Sequence, residues 1–198
     1  MTSRRALILG GTGMLAGVAE ELTSNGWHVV LPSRRYSPIA AVAGGPGAAA
    51  RASLRRPGHR PDADEPGGRA LWVEADWTQP VKLAEDAGRA LDGPADLMVA
   101  WVHTAYRRPV FDAVASLLAG GAPVVDVRSH SSAGAPVEDL IPPLPGHPVQ
   151  DVVLGYGPGS GRARWLTHAE IVEGVLTAVR RALAGRPPSS HHIGRSRP

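Results

Sequence analysis

The chain has 198 residues, 43% of them hydrophobic and 20% charged, with a formal net charge of +3 and no cysteine. That length suits one domain with a sizeable core. The absence of cysteine excludes a disulfide framework, a thiolate–zinc site and a cysteine nucleophile, in keeping with a cytoplasmic protein.

The positive balance does not read as a nucleic-acid surface. Of the 21 basic residues only Lys82 is a lysine, and no run interleaves arginines with aromatics as a single-strand binder requires. No stretch approaches the ~18 apolar residues of a membrane span. Met1 to Arg5 followed by an apolar run imitates a leader peptide, but Gly10, Gly11 and Gly13 interrupt it too early.

Residues 6–9 are a short apolar run ending in glycines, which predicts a buried strand. Met14, Leu15, Val18, Ala19 and Leu22 recur at helical spacing and Gly26 follows as a stop, so a helix is predicted over 14–25. A second strand at 27–31 completes a βαβ unit. Residues 38–68, rich in Ala, Gly, Pro and Arg without periodicity, predict a flexible loop, with a short Ala-rich helix over 40–54 as its one candidate element.

Order resumes with a strand at 70–75, a turn at 76–80 and a helix at 81–91. A strand at 96–102, a helix at 110–118, strands at 123–127 and 151–154 and a helix at 167–183 follow. Thr167 with Glu170 three residues on is a capping-box signature. Residues 185–198 read as a flexible polar tail, leaving a single domain over 1–184. Strict alternation of strands and helices predicts an α/β, Rossmann-type doubly wound, mostly parallel six-stranded sheet with helices on both faces.

The segment Gly10-Gly11-Thr12-Gly13-Met14-Leu15-Ala16-Gly17 sits between the first strand and the first helix, and Gly11, Gly13 and Ala16 meet the pattern G-x-G-x-x-A. Small residues there give a tight turn, close approach of backbone to a pyrophosphate and tight helix–strand packing. Unpaired amides at the helix start would hold the phosphates. Gly10, Gly11, Thr12, Gly13, Met14 and Leu15 are therefore the candidate dinucleotide cradle; a glycine turn kept for packing alone is the plainer alternative.

After the second strand the chain carries Ser33, Arg34 and Arg35 where an NAD-selective site places a carboxylate, so a 2′-phosphate and hence NADP(H) is the expected ligand. Solvated arginines are the alternative. Asp76 stands where an adenine amino group would be met, with Trp77 as a wall, although an Asp that caps the next helix reads equally well.

These features, together with Ala100-Trp101-Val102-His103 at the end of the fourth predicted strand, resemble the short-chain dehydrogenase/reductase family over residues 5–130. The resemblance implies a Rossmann fold and nicotinamide-dependent redox chemistry on a carbonyl, alcohol or imine. It also implies a Tyr-x-x-x-Lys pair on a helix after the fourth strand. Here the only lysine, Lys82, precedes that strand, and Tyr36, Tyr106 and Tyr156 have no lysine four residues on. The chain resembles a truncated, divergent member.

Polar residues expected beyond the strand ends are the substitutes. His103 is the leading proton donor, against a strand-end histidine satisfied by backbone. Ser129 and Ser131 would polarise a carbonyl or hold the nicotinamide carboxamide, against a Ser-rich turn that needs no function; His130 is a second imidazole, and Tyr106 a phenol or a rim aromatic. No metal site, nucleic-acid partner or membrane association is expected.

The sequence thus reads as an NADP(H)-dependent oxidoreductase acting on a small carbonyl or imine substrate. The alternatives are a catalytically inactive NADP(H) sensor or interaction module, and a non-redox enzyme reusing the crevice. Homo-oligomerisation is compatible with each.

Overall fold

A computed structural model describes residues 4–34, 54–55, 68–129, 144–157 and 164–195. The chain begins with β1 (Arg5–Leu9), α1 (Ala16–Ser24), β2 (His28–Ser33), β3 (Leu54–Arg55) and β4 (Arg69–Glu74). It continues through α2 (Pro80–Leu91), β5 (Leu97–Trp101), α3 (Thr104–Val114), β6 (Val124–Ser129) and β7 (Val149–Leu154). The last elements are β8 (Tyr156–Gly157), β9 (Arg164–Trp165), α4 (His168–Leu183) and β10 (Ser189–Ile193). Eight strands form one sheet in the order β10-β7-β6-β5-β1-β2-β4-β3, with every pairing parallel. β8 and β9 pair antiparallel as a separate ribbon.

The apolar runs take the central positions because a parallel strand there is covered on both faces. Successive side chains of β1 point to opposite sides. Ala6 and Ile8 join Val29, Val99 and Val127 beneath α1 and α4, whereas Leu7 and Leu9 join Val30, Met98 and Val124 beneath α2 and α3. Leu7 lies opposite Val30 on one side and Met98 on the other. From β1 the chain builds outward through β2 and β4, then returns past β1 to start β5 on its other side. A doubly wound sheet opens its ligand crevice at such a reversal, beyond the carboxyl ends of the strands. Among the described residues, no helix is long and apolar enough to cross a membrane.

Three expectations are corrected. The sheet has eight strands rather than six. Residues 189–193, read as part of a flexible tail, are the edge strand β10, and the folded unit continues past residue 184 to a bridge between Tyr156 and Arg195. Ser-Ser-His-His-Ile has no apolar alternation to announce it; its register is set by Gln150, 0% exposed. The Gln150 amide donates to the carbonyls of Arg186 and Pro187 (3.3 and 2.9 Å), and its Oε1 accepts from Ser189 Oγ at 2.7 Å. Finally, α3 starts six residues earlier than expected, because Pro109, which reads as a helix boundary, lies inside it. Proline leaves the carbonyl four residues back without its helical donor, and that residue, Ala105, is exposed. The expected loop over 38–68 and the helix over 40–54 lie mostly outside the described residues.

A buried histidine ties the amino-terminal end of this sheet to α2. His28 is 3% exposed; its Nε2–H donates to the carbonyl of Ala90 at 2.8 Å and its Nδ1 accepts from Arg69 Nε. Both ring positions are thereby committed to the neutral form. Burial first, and the Arg69 charge second, depress its pKa from 6.5 to about 4. The unfolded chain therefore binds the extra proton between these values while the folded one does not, so stability declines as pH falls through that window. Urea unfolding should register a loss on the order of 2 kcal/mol between pH 7 and pH 4 from this residue. His28→Leu should flatten that part of the profile while lowering stability at pH 7.

Candidate functional site

Between β1 and α1 the backbone turns through residues 10–15. Gly10 has φ +86°, a conformation natural to glycine, and a Cβ there would stand 2.9 Å from the carbonyl oxygen of Trp101. The turn is thus pressed against the end of β5. A Cβ on Gly11 would fall on Leu31 Cδ2, and one on Gly17 would lie 2.9 Å from Val172 Cγ2, where α1 and α4 touch. Gly10 thus carries the positive-φ turn, Gly11 lets the turn pack on Leu31 and Ile8, and Gly17, outside the G-x-G-x-x-A pattern, lets α1 and α4 approach each other. Gly13 differs from all three. Its φ is not positive, and the nearest atom to a Cβ would be the Gly10 oxygen at 4.0 Å. Packing does not require a glycine at 13; an object outside the protein that must come close to the backbone would.

Hydrogen bonding at the turn points the same way. Ala16 N donates to Gly13 O (3.1 Å), and the amides of Val18 and Ala19 both donate to Leu15 O (3.0 and 3.1 Å). Among the described residues, nothing accepts from the amides of Thr12, Met14, Leu15 or Gly17, and α1 has neither a side-chain cap nor an acidic residue in its first turn. Four donors at the positive end of a helix dipole are left for an anion. These donors and the open approach at Gly13 fit a dinucleotide diphosphate.

The adjoining strand end carries the polar groups expected of it. Thr12 Oγ1 donates to Ser33 Oγ at 2.7 Å, joining the turn to the last residue of β2. Arg34 follows in an exposed position; Arg35 lies outside the described residues. Asp76 closes an Asx turn, accepting from the Thr78 amide at 2.9 Å. That amide, the Thr78 hydroxyl and, less strongly, the nearby Arg34 charge hold its carboxyl below the usual range. Asp76 thus shapes the turn before α2, but the residue at the N-cap of that helix is Gln79, not Asp76. Trp77 is half-buried against the core under α2 and α3.

Beyond β5 and β6 lies a cleft of about 290 Å³ lined by Trp101, Val102, His103, Thr104, Val127, Arg128 and Ser129. His103 is the N-cap of α3, and its Nδ1 accepts from the Ala105 amide at 3.3 Å. With that lone pair engaged, the ring proton sits on Nε2. The Tyr106 ring is 6.3 Å from the His103 ring, centroid to centroid. The cleft therefore unites His103 and Ser129, with Tyr106 at the imidazole's side; His130, Ser131 and Ser132 lie outside the described residues.

One turn beyond His103, Arg107 reaches back to β6 and forms a bidentate pair with Asp126, Nη1 to Oδ1 being 2.6 Å. Both are nearly buried, at 7% and 3% exposure. Arg107 also stands over the Phe111 ring, 4.9 Å from its centroid. Arg128 is held in a second bidentate pair by Asp151 of β7 (2.7 and 2.5 Å), and Ser190 of β10 donates to the same carboxylate at 3.1 Å.

Sequence reasoning did not single out Arg128 as a cleft wall, nor His168, whose Nε2 stands 3.4 Å from the Gly13 carbonyl oxygen. No spacing rule links residues so far apart in the chain.

No family model matches the chain, and no curated protein matches it. Solved structures share its fold. The TT0495 protein from Thermus thermophilus is 17% identical with a TM-score of 0.62 over 97% of each chain. A short-chain dehydrogenase/reductase from Serratia marcescens is 14% identical, with a TM-score of 0.61 over 98% of each chain. A short chain dehydrogenase from Burkholderia cenocepacia in complex with NADP is 16% identical, with a TM-score of 0.61 over 98% of this chain and 97% of that one. The chain thus has the short-chain dehydrogenase/reductase fold, which is α/β and Rossmann-like.

The buried Arg107–Asp126 pair anchors the start of α3. Removing one partner strands the other charge, so Asp126→Asn and Arg107→Met should each cost about 3–5 kcal/mol in urea unfolding. The double variant Arg107→Met/Asp126→Leu should recover much of that loss.

Proposed function

We propose that the protein is an NADP(H)-dependent oxidoreductase that reduces a small carbonyl or imine compound in the cleft beside His103. The observation that carries this reading is Gly13: among the described residues its smallness serves no neighbour, and it lies among four amides that find no acceptor there. In this reading those amides hold the diphosphate, while Ser33 and Arg34 meet the 2′-phosphate with a hydroxyl and a guanidinium. Gly10 presses the turn onto Trp101, a wall of the cleft, so a dinucleotide seated on the turn extends towards His103.

Once bound, the nicotinamide supplies or accepts a hydride. The chain's own residues orient the substrate and manage its charge. The Nε2–H of His103 donates to the carbonyl oxygen or imine nitrogen, with Ser129 completing the cleft on the β6 side. The fold shared with the NADP-bound neighbour supports the class of ligand.

One observation favours a binding module without turnover instead: capping α3 gives His103 a structural reason to be there.

The two readings part in a direct test. Gly13→Val should fold normally, because the space at Gly13 is open, yet abolish NADPH binding in calorimetry. Arg34→Glu should cost NADPH about tenfold or more in affinity while leaving NADH nearly unchanged. His103→Asn keeps a good N-cap residue and should lower kcat by about a hundredfold or more against a carbonyl and imine panel. Absence of NADPH and NADH binding by the wild-type protein would overturn the proposal; binding without turnover across the panel would install the sensor in its place.

A further inference from the structure

We propose that His168 is a phosphate-binding side chain of the dinucleotide site, its imidazolium joining the glycine turn to a diphosphate oxygen. The inference rests on the dinucleotide-binding reading above. His168 is the first residue of α4, and its Nε2–H donates to the Gly13 carbonyl at 3.4 Å.

Packing brings the ring there. Gly17 of α1 lets Val172 of α4 come so close that a Cβ would stand 2.9 Å from it, and Met14 and Leu166 pack on the same core. Two helix starts are therefore fixed side by side, and the exposed imidazole stands at the mouth of the turn whose amides lack acceptors.

The Gly13 carbonyl accepts from Nε2 whether the ring is neutral or charged. The other nitrogen decides what a ligand meets. In the neutral ring Nδ1 offers a lone pair, which repels a phosphate oxygen; in the imidazolium it offers a second N–H and a full positive charge.

Among the described residues, the charges facing it are few. From α1 comes Glu20, whose carboxyl is raised by burial and lowered by the charge of His168. The glycine turn contributes no ionisable side chain. On the α4 side, Arg164 is engaged with Glu170 at 2.9 and 2.8 Å, and Glu170 also accepts from the Thr167 amide. An ionised Glu20 would oppose a diphosphate at this mouth, and the charged His168 is the group that offsets it.

The test is calorimetric titration with ADP-ribose, which carries the diphosphate but no 2′-phosphate titrating in the same range. Wild-type affinity should rise roughly five- to tenfold from about pH 8 to about pH 6. His168→Gln should lose that rise while binding within about twofold of wild type at the higher pH. Glu20→Gln should retain the rise. A wild-type affinity independent of pH, or an equal rise in His168→Gln, would overturn the role of His168 alone. Failure of the wild-type protein to bind either ADP-ribose or NADPH, or ADP-ribose binding undiminished in Gly13→Val, would overturn the dinucleotide reading from which it follows.

Discussion

A peptide amide that leaves water must find an acceptor, and the way this chain reverses about β1 decides where that demand is left open. Because the chain leaves β1 towards β2 and later returns to start β5 on its other side, the strand order reverses beside β1, where a doubly wound sheet opens its crevice. The turn that starts α1 is forced into that space by Gly10, held at positive φ against Trp101. The amides of Thr12 and Met14 lie ahead of α1 and that of Leu15 at its N-cap, so none has a helical partner, and among the described residues no side chain caps them. The geometry of the sheet and the unsatisfied chemistry of the turn thus coincide. The polar ends of β2 and β5 then fall on either side of one anion-seeking cradle.

The wall of the cleft is made by electrostatics more than by apolar burial. Asp126 and Asp151 are register partners on adjacent strands, where two carboxylates facing the same way would repel. Each is instead gripped by its own arginine, Arg107 from α3 and Arg128 from within β6, and Ser190 extends the row to β10. A buried pair of this kind adds little net stability over an apolar substitute, but it penalises displacement of either partner. Its effect here is positional. Arg107 lies one helical turn from His103, so the contact that seats α3 on β6 also sets the imidazole relative to Ser129.

Much of the fold was legible in the sequence because its central strands are continuous apolar runs and its helices carry apolar residues at regular intervals. Thr167 and Glu170 form the capping box their spacing announces. What was hidden had physical causes. β10 is polar along its length and owes its register to one buried amide, Gln150. The start of α3 was obscured by Pro109, which breaks most helices but sits here where an exposed carbonyl loses its donor. In the site, the glycine motif was readable but the duties of its glycines were not. Gly10 answers to Trp101 and Gly17 to Val172, and neither neighbour is near in sequence. The candidate His130 and Arg35, and most of the expected 38–68 loop, lie outside the described residues.

The state of His103 sets what chemistry this cleft is able to perform without a tyrosine–lysine pair. While Nδ1 accepts from the Ala105 amide, Nε2–H is the ring's remaining donor, and in the proposed reaction it would meet a substrate oxygen or nitrogen. Full proton transfer requires the imidazolium, and forming it means giving up the bond from the Ala105 amide. At 3.3 Å that bond is at the long end of the useful range, and a typical one contributes only about 0.5–1.5 kcal/mol. Moreover Ala105 is exposed, so water takes over its amide when the cap is released. The ring is therefore not locked into its structural duty.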